Sequence, residues 1–522
     1  MIYLIPHAID RSAKQFPEQE AFRFESKSLT YANLVSQSNS LANFLRTQGV
    51  ERGDRIGIYL NKSLESAVAI YGIMKVGAAY VPLDPTAPAS RIRFILQNCG
   101  IRGLITQPQK LSYISEILAE PTPLEYIIGV ASKELPVRTF AWETVWEISG
   151  ESPPNIRILE QDLAYIMYTS GSTGEPKGIM HTHHSGLSYA KMSAHTYGLH
   201  HGDRLGNHSP LHFDMSTLDY FSGPLAGATT VIIPEAYTKL PASLSQLIEK
   251  EKLTIWYSVP FALIQLLQRG LLPTRDLTSL RWVLFGGEPF PPKYLYELME
   301  QLPQARFCNV YGPAEINQCT YYHVPKLETI PEQSVPIGCI WENAEELVVD
   351  EQDRPVPSGE VGELLVRTPT MMQGYWQRPD LNECAFFSRP VFGNHKEVFF
   401  RTGDLVQLQA DGNYSFLGRK DRQIKTRGYR VELDEIEAVL VSHPQVEEAG
   451  AFSVPDEEGN HIEAAVTLKA EKEVSTDELI WYAAKHLPKY GVPLKIAIRE
   501  ELPRTTTGKI DRRALQKEAF NN

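Results

Sequence analysis

Between residues 168 and 178 the chain carries six consecutive hydroxyl or glycine residues: Thr169, Ser170, Gly171, Ser172, Thr173 and Gly174. Pro176 and Lys177 follow. Glycines let backbone N–H groups approach an anion, hydroxyls add donors, and the lysine adds a positive charge. An apolar run, 163–167, leads into this segment, so it reads as a phosphate cradle on a strand-to-loop turn. It is not a GxxxxGK[ST] loop, because the spacing from Gly171 to Lys177 differs and Pro176 precedes the lysine. A second group is Tyr311, Gly312, Pro313 and Glu315. It offers a flat ring for a purine, a tight turn, and a carboxylate for Mg²⁺ beside phosphates. A third is Asp404, on a turn after the apolar Val398, Phe399 and Phe400, where a carboxylate can accept both ribose hydroxyls. Segment 418–432 is dense in cations, and segment 503–513 sets Lys509 on a glycine-containing loop. Taken singly, each has a plainer reading: a solvated turn, a Gly-Pro turn with a core tyrosine, an Asx turn, a basic linker, an exposed lysine.

Such groups need elements to hold them. At 522 residues the chain is too long for one ordinary core, so at least two domains are expected. Helical periodicity in 29–49, 63–76 and 91–98 alternates with strand patterns in 54–60, 80–83 and 103–106. That rhythm predicts parallel sheets covered by helices. A second α/β stretch runs over 205–309. From 335 to 417 short strands broken by Gly, Pro and Asp predict a β-rich subdomain. After residue 420 a new unit begins, with helices at 436–440 and 478–487 and strands at 446–454 and 462–468. The expected division is a large domain over 1–420, with two α/β subdomains and a β-rich one, and a small domain over 421–522.

Composition narrows the classes. Hydrophobic content of 43% and charged content of 22% suit a globular protein. A net charge of −12, from 51 basic and 63 acidic residues, argues against a general nucleic-acid or anionic-membrane binder. Cys99, Cys308, Cys319, Cys339 and Cys384 are scattered without CxxC spacing, which suggests neither a zinc site nor a disulfide scaffold. A reducing cytoplasm is the expected location. Residues 1–10 lack the features of a signal peptide, and no window approaches the ~20 apolar residues of a membrane span.

In this order the five motifs resemble those of the adenylate-forming superfamily, and the chain is similar to amino-acid adenylation domains of non-ribosomal peptide synthesis. The resemblance runs from about Leu29 to Leu515, and segment 77–85 matches the adenylation-domain subgroup better than the acyl-CoA ligases. It implies an α/β fold with a β-rich subdomain and a small, mobile α+β C-terminal domain. It also implies two half-reactions at one site: a carboxylate and ATP give an acyl-adenylate and pyrophosphate, then a phosphopantetheine thiol takes the acyl group and AMP leaves. By position, Thr169 to Gly174 and Lys177 resemble the loop for the β- and γ-phosphates. Tyr311 resembles the adenine-stacking tyrosine, Glu315 the Mg²⁺ ligand, Asp404 the ribose-binding aspartate and Arg419 the arginine near ribose and phosphate. Asp421 matches the hinge, Gly428 a glycine on the pantetheine path, and Lys509 the lysine that bridges carboxylate and α-phosphate. Ala314 departs from the usual threonine, removing one hydroxyl near the phosphates.

By the same alignment Asp214 pairs with the substrate α-ammonium. Met215, Leu218, Tyr257, Leu284, Gly286, Val310, Gln318 and Cys319 form the rest of the pocket. With few polar groups, it suits a small or medium apolar amino acid. The set looks similar to prolyl-adenylating enzymes that load a separate carrier protein, as in the anatoxin pathway. L-Proline is the expected substrate, with another small aliphatic residue as the alternative. No carrier domain follows residue 515, so a carrier met in trans is expected, with Arg422, Lys425, Arg427 and Arg430 as residues that could meet it, or several of them facing the active site instead. Two other readings stand beside this one: an acyl- or aryl-CoA synthetase, against which Asp214 argues, and a non-catalytic nucleotide-binding protein, against which Lys509 and Asp404 argue together.

Overall fold

The computed structural model describes residues 1–171, 175–456, 459–469, 472–504 and 510–520. An eight-stranded sheet is built from βαβ units. Strand Arg55–Tyr59 leads through helix Leu64–Lys75 to the parallel strand Ala79–Pro82, and helix Ala89–Cys99 then leads to Gly103–Thr106 on the other side. Each helix has readable ends. Ser63 and Ser66 make a reciprocal cap at one start, and Gly100 ends the other helix at φ 59°. Every residue of Ala79–Pro82 and Gly103–Thr106 is buried, as both faces of a parallel sheet demand. Leu163–Thr169 joins parallel to Ala79–Pro82, and Lys177–Thr182 folds back antiparallel on it. The Ser/Thr/Gly loop therefore connects two antiparallel strands rather than a strand and a helix.

A nine-stranded sheet has a parallel core of Thr229–Ile232, Arg204–Asn207, Ile255–Ser258, Trp282–Gly286 and Arg306–Tyr311. The sequence reading assigns no strand before residue 54. Two exist: Glu20–Phe24 and Lys27–Thr30 form a hairpin, and the first of them pairs parallel with Thr229–Ile232. Five strands make the β-rich unit: Glu345–Val349, Val361–Arg367, Phe386–Phe392, His395–Leu408 and Tyr414–Arg419. Two short strands from this region, Cys339–Ile340 and Gly374–Tyr375, pair instead with the two large sheets.

The last part of the chain opens with a hairpin, Gln423–Thr426 against Tyr429–Glu432. A three-stranded sheet of Val446–Asp456, Gly459–Leu468 and Lys495–Arg499 follows, covered by helices Leu433–Val441 and Thr476–His486. It has its own core, around Ile436, Leu440, Val466 and Leu479. Among the described residues no helix is long and apolar enough to cross a membrane.

Candidate functional site

Strand ends from both large sheets meet the hairpin 423–432 around one cavity of about 110 Å³. Thr169 and Ser170 come from the end of one sheet, Tyr257, Val310 and Tyr311 from the other, and Asp404 and Arg419 from the β-rich unit. A second cavity of about 350 Å³ adjoins it, bounded by 287–289, 309–311, 335–337 and 415–417, with Gly287, Val310, Tyr311 and Lys425 common to both.

The phosphate loop is tightly drawn. A Cβ on Gly171 would lie 2.0 Å from the Glu175 carbonyl, so only glycine fits there. Thr169 Oγ1 is buried without a hydrogen-bond partner among the described residues. Buried hydroxyls are ordinarily bonded, so this one suits a ligand acceptor. Ser170 Oγ donates to the Arg430 carbonyl at 2.9 Å. Lys177 Nζ lies 4.0 Å from Glu315 and 3.7 Å from Glu432, and burial with Arg430 nearby pushes it below the usual lysine range. Ser172, Thr173 and Gly174 lie outside the described residues, as does Lys509.

Tyr311, Asp404 and Arg419 form a connected set. The Tyr311 hydroxyl donates to Asp404 Oδ2, and Arg419 Nη1 donates to Asp404 Oδ1 at 2.6 Å. A carboxylate has about four acceptor sites, so both oxygens retain capacity for ribose hydroxyls. Arg419 also bonds both oxygens of Asp421 at 2.6 Å, fixing the residue just before the hairpin 423–432. In the turn before Gln318, a Cβ on Gly312 would lie 2.4 Å from the Asn317 carbonyl, and Asn317 itself sits at φ 60°. The Gly-Pro turn is thus a close approach of backbone to backbone.

Glu315 departs from its expected use. It is fully buried, and Arg430 Nη1 reaches its two oxygens at 2.9 and 2.6 Å. Tyr375 donates a further bond at 2.7 Å. Although burial alone would raise it, Arg430 and Lys177 hold the carboxyl down at about 2. A carboxylate engaged by one guanidinium with an ammonium beside it does not fit Mg²⁺ in this arrangement. Among the described residues no group of three or more His, Cys, Asp or Glu side chains is placed to hold a metal ion.

On the pocket side Asp214 Oδ1 accepts from the Met215 N–H at 3.0 Å. Burial raises its carboxyl to about 6, with the Met215 N–H and Lys425 partly offsetting. Asp214, Met215, Tyr257, Val310 and Gln318 line the cavity. Leu218, Leu284, Gly286 and Cys319 do not share that lining. Leu218 and Leu284 pack behind Val310 in a cluster that also holds Tyr189, Tyr197 and Trp341. Gly286 is covered by its strand partner, since a Cβ there would lie 2.2 Å from the Val310 carbonyl. Cys319 faces a separate cluster with Ile316 and Tyr375.

Sequence reasoning missed Tyr197 and left the position of Lys425 open between a carrier surface and the site. Tyr197 is 1% exposed and its hydroxyl accepts from Gln318 Nε2 at 2.7 Å, which fixes the amide in the pocket wall. Nothing in the local sequence marks it. Lys425 lies 5.8 Å over the Tyr311 ring and lines both cavities; burial pushes its ammonium down, with Asp404 and Asp214 opposing. The cation-rich stretch 418–432 held the signal. Of the four basic residues expected to meet a carrier, Lys425 and Arg430 point into the site, and Arg422 bonds Glu437 at 2.6 Å. Arg427 is exposed, beside Gly428, whose N–H donates to Glu288 at 3.3 Å.

Comparison with known proteins identifies the family. Residues 9–376 match the family described as AMP-binding enzyme, and residues 435–509 its AMP-binding enzyme C-terminal domain. The chain is 32% identical over 522 residues to the L-proline--[L-prolyl-carrier protein] ligase of Pseudomonas fluorescens, covering 99% of both. It is 34% identical over 500 residues to the protein of that description from Streptomyces coelicolor, covering 94% of this chain and 92% of the other. Among solved structures, the adenylation domain AlmE of Vibrio cholerae, in complex with glycyl-adenosine-5'-phosphate, superposes with a TM-score of 0.85 at 27% identity, covering 100% of this chain and 98% of that one. The amide bond synthetase McbA of Marinactinospora thermotolerans has the same fold, with a TM-score of 0.86 at 24% identity, covering 98% of this chain and 99% of that one. The chain belongs to the AMP-binding enzyme family, with the adenylate-forming fold of a large α/β N-terminal domain and a small C-terminal domain.

Proposed function

We propose that the protein uses ATP to activate an amino acid, L-proline as the best reading, and passes it to the phosphopantetheine thiol of a carrier protein. The observation that carries this reading is one shared cavity. The Asp214 carboxylate lines it together with Tyr311, Asp404, Arg419 and the hydroxyl of Thr169, which has no partner among the described residues. A buried carboxylate is costly unless a cation meets it, and an α-ammonium beside a nucleotide meets that need. The full-length similarity to two proteins described as L-proline--[L-prolyl-carrier protein] ligase supports proline and a carrier partner.

In this reading Thr169 to Gly174 and Lys177 hold the β- and γ-phosphates, Tyr311 stacks on adenine, and Asp404 accepts from the ribose. Lys509 bridges the substrate carboxylate and the α-phosphate. The carboxylate oxygen bonds the α-phosphorus, the bond to the bridging oxygen breaks, and pyrophosphate leaves. Then the thiol sulfur bonds the carbonyl carbon, the carbon–oxygen bond to phosphate breaks, AMP leaves, and the thiol proton passes to solvent. Between the steps the small domain, 421–522, turns about Asp421. Gly428 borders the pantetheine path.

ATP–pyrophosphate exchange across a panel of amino, fatty and aryl acids tests this. Exchange is expected with amino acids, strongest with proline, and loss of most of it in Lys509→Ala. Exchange with a fatty or aryl acid alone would overturn the reading, and a best substrate other than proline would end the assignment to proline.

A further inference from the structure

Gln318 lines the site cavity, yet its amide nitrogen is spent on the wall. Nε2 donates to the Tyr197 hydroxyl at 2.7 Å and to the Thr320 carbonyl at 3.4 Å. A carbonyl only accepts, so the amide nitrogen faces the wall and the Tyr197 oxygen is the acceptor. The tether is firmly held. Tyr197 follows the helix His183–Thr196, and its ring meets Trp282 edge-on at 5.9 Å. The Tyr197 carbonyl accepts from the Trp282 indole at 2.9 Å and from Arg281 Nη1 at 3.1 Å. Tyr197 does not itself line the cavity, so whatever it does there passes through Gln318.

Asp214 lines the same cavity, and among the described residues no side chain bonds its desolvated carboxylate. The two residues are kept close. Asn317 Nδ2 donates to Thr217 Oγ1 at 3.0 Å, and Thr217 Oγ1 donates to the Asp214 carbonyl at 2.6 Å. The residue before Gln318 is thus joined through one hydroxyl to the backbone of Asp214. A desolvated carboxylate and an amide with two N–H groups are strong partners for each other. Freed from the wall, the Gln318 amide would turn onto Asp214, where the substrate ammonium is placed.

We propose that Tyr197 is a positioning residue that tethers the Gln318 amide to the pocket wall and so keeps it off Asp214, leaving that carboxylate for the substrate α-ammonium. The proposal rests on the ligase reading above. Its physical basis is competition within the cavity. An amide seated on Asp214 has to be displaced by every incoming amino acid, and apparent affinity falls with the fraction of enzyme left open. Once the amino acid is bound the amide is displaced, so turnover at saturation is spared. A hydrogen bond to the carboxylate also favours its charged form, which gives the competition a signature in pH.

The test is ATP–pyrophosphate exchange by full-length Tyr197→Phe, Gln318→Val and the double variant, with amino acid, ATP and pH varied in turn, beside a crystal structure of Tyr197→Phe without ligand. In Tyr197→Phe the amino-acid KM is expected to rise roughly two- to tenfold, as the loss of one buried hydrogen bond allows, while kcat and the ATP KM hold. The acid limb of kcat/KM moves to lower pH, because the amide now stabilises the charged Asp214. Lys425, Arg430 and Glu315, the charged groups that act on Asp214, are the same in both proteins. In the double variant the KM is expected to match that of Gln318→Val alone, since Tyr197 then has no amide to hold. In the crystal the Gln318 amide nitrogen is expected within hydrogen-bond reach of an Asp214 oxygen. A merely structural role for Tyr197 would lower kcat, leave the acid limb in place and persist in the double variant. If Tyr197→Phe does not fold, Gln318→Asn, whose amide is one methylene too short for Tyr197, is read in the same way. An unchanged KM, a penalty that persists in the double variant, or an amide still in the wall overturns the proposal and leaves the ligase reading standing. Absence of exchange with every amino acid in the wild-type enzyme overturns the ligase reading and the proposal with it.

Discussion

In the proposed reaction Asp214 carries the specificity in one ionisation. Burial holds its carboxyl up at about 6, so below that pH the group is protonated and neutral. A neutral acid cannot pair with an α-ammonium. Expected, then, is kcat/KM for the amino acid that is flat above about pH 6 and falls as pH drops through it, with kcat less affected because the bound ammonium stabilises the carboxylate. A profile of ATP–pyrophosphate exchange that stays level down to pH 5 would remove Asp214 from this role. Asp214→Asn is expected to weaken amino-acid activation by about 2–5 kcal/mol in kcat/KM, by leaving the ammonium unpaired. At this scale the sequence is a good guide to residue type and a poor guide to layer. Asp214, Val310 and Tyr257 reach the cavity, whereas Leu284 and Leu218 stand one shell behind Val310. Spacing tells which strand a residue lies on, but which of two buried neighbours covers the other is a matter of packing.

In the proposed reaction the hairpin 423–432 is the element on which the second half-reaction turns. Thr426 pairs with Tyr429, leaving Arg427 and Gly428 as a two-residue loop with φ of 51° and 81°. Two positive φ values suit the right-handed twist of the flanking strands, and glycine at the second position relieves the strain. The sequence reading took this stretch as a cation-dense motif at the domain boundary, with a basic linker as its plainer reading, and assigned no strand to it. In Gly428→Leu a side chain would enter a left-handed position whose Cβ lies 2.5 Å from Val259 Cγ1. The hairpin cannot then seat, and carrier loading is expected to fall far more than ATP–pyrophosphate exchange. Equal losses in the two assays would argue for general misfolding instead. The phosphate loop was read correctly as a strand-to-loop turn, but its return as an antiparallel strand is set by pairing of Thr169 with Lys177, which composition does not reveal.

Across the whole molecule, the two domains are joined by a desolvated ion pair. Arg91 Nη1 lies 2.6 Å from Glu435 Oε1, and the two side chains are 8% and 5% exposed. Breaking such a pair from one side costs about 3–5 kcal/mol, because the remaining charge stays buried. That is enough to open a pose held by a few kcal/mol without unfolding either core. Arg91→Met is therefore expected to slow carrier loading and speed deuterium uptake in 423–441, while the main thermal transition stays in place. Arg91→Met with Glu435→Met should recover part of the loading rate, since the orphan charge is gone. No recovery in that double variant would show that the pair is not what closes the domains.

The sequence alone determined the chemistry and the order of parts. The glycines, carboxylate and aspartate proposed to meet phosphate, ribose and amine are local choices of side chain, and βαβ periodicity is a local pattern of burial. Tertiary structure decided the pose. Arg430 and Glu315 are 115 residues apart, and Arg91 and Glu435 are 344 apart. A charge near the end of the chain carries no mark of the distant partner that will neutralise it. Only folding brings the strand Tyr429–Glu432 over the phosphate loop, and with it the arginine that stands on the carboxylate expected to hold a metal.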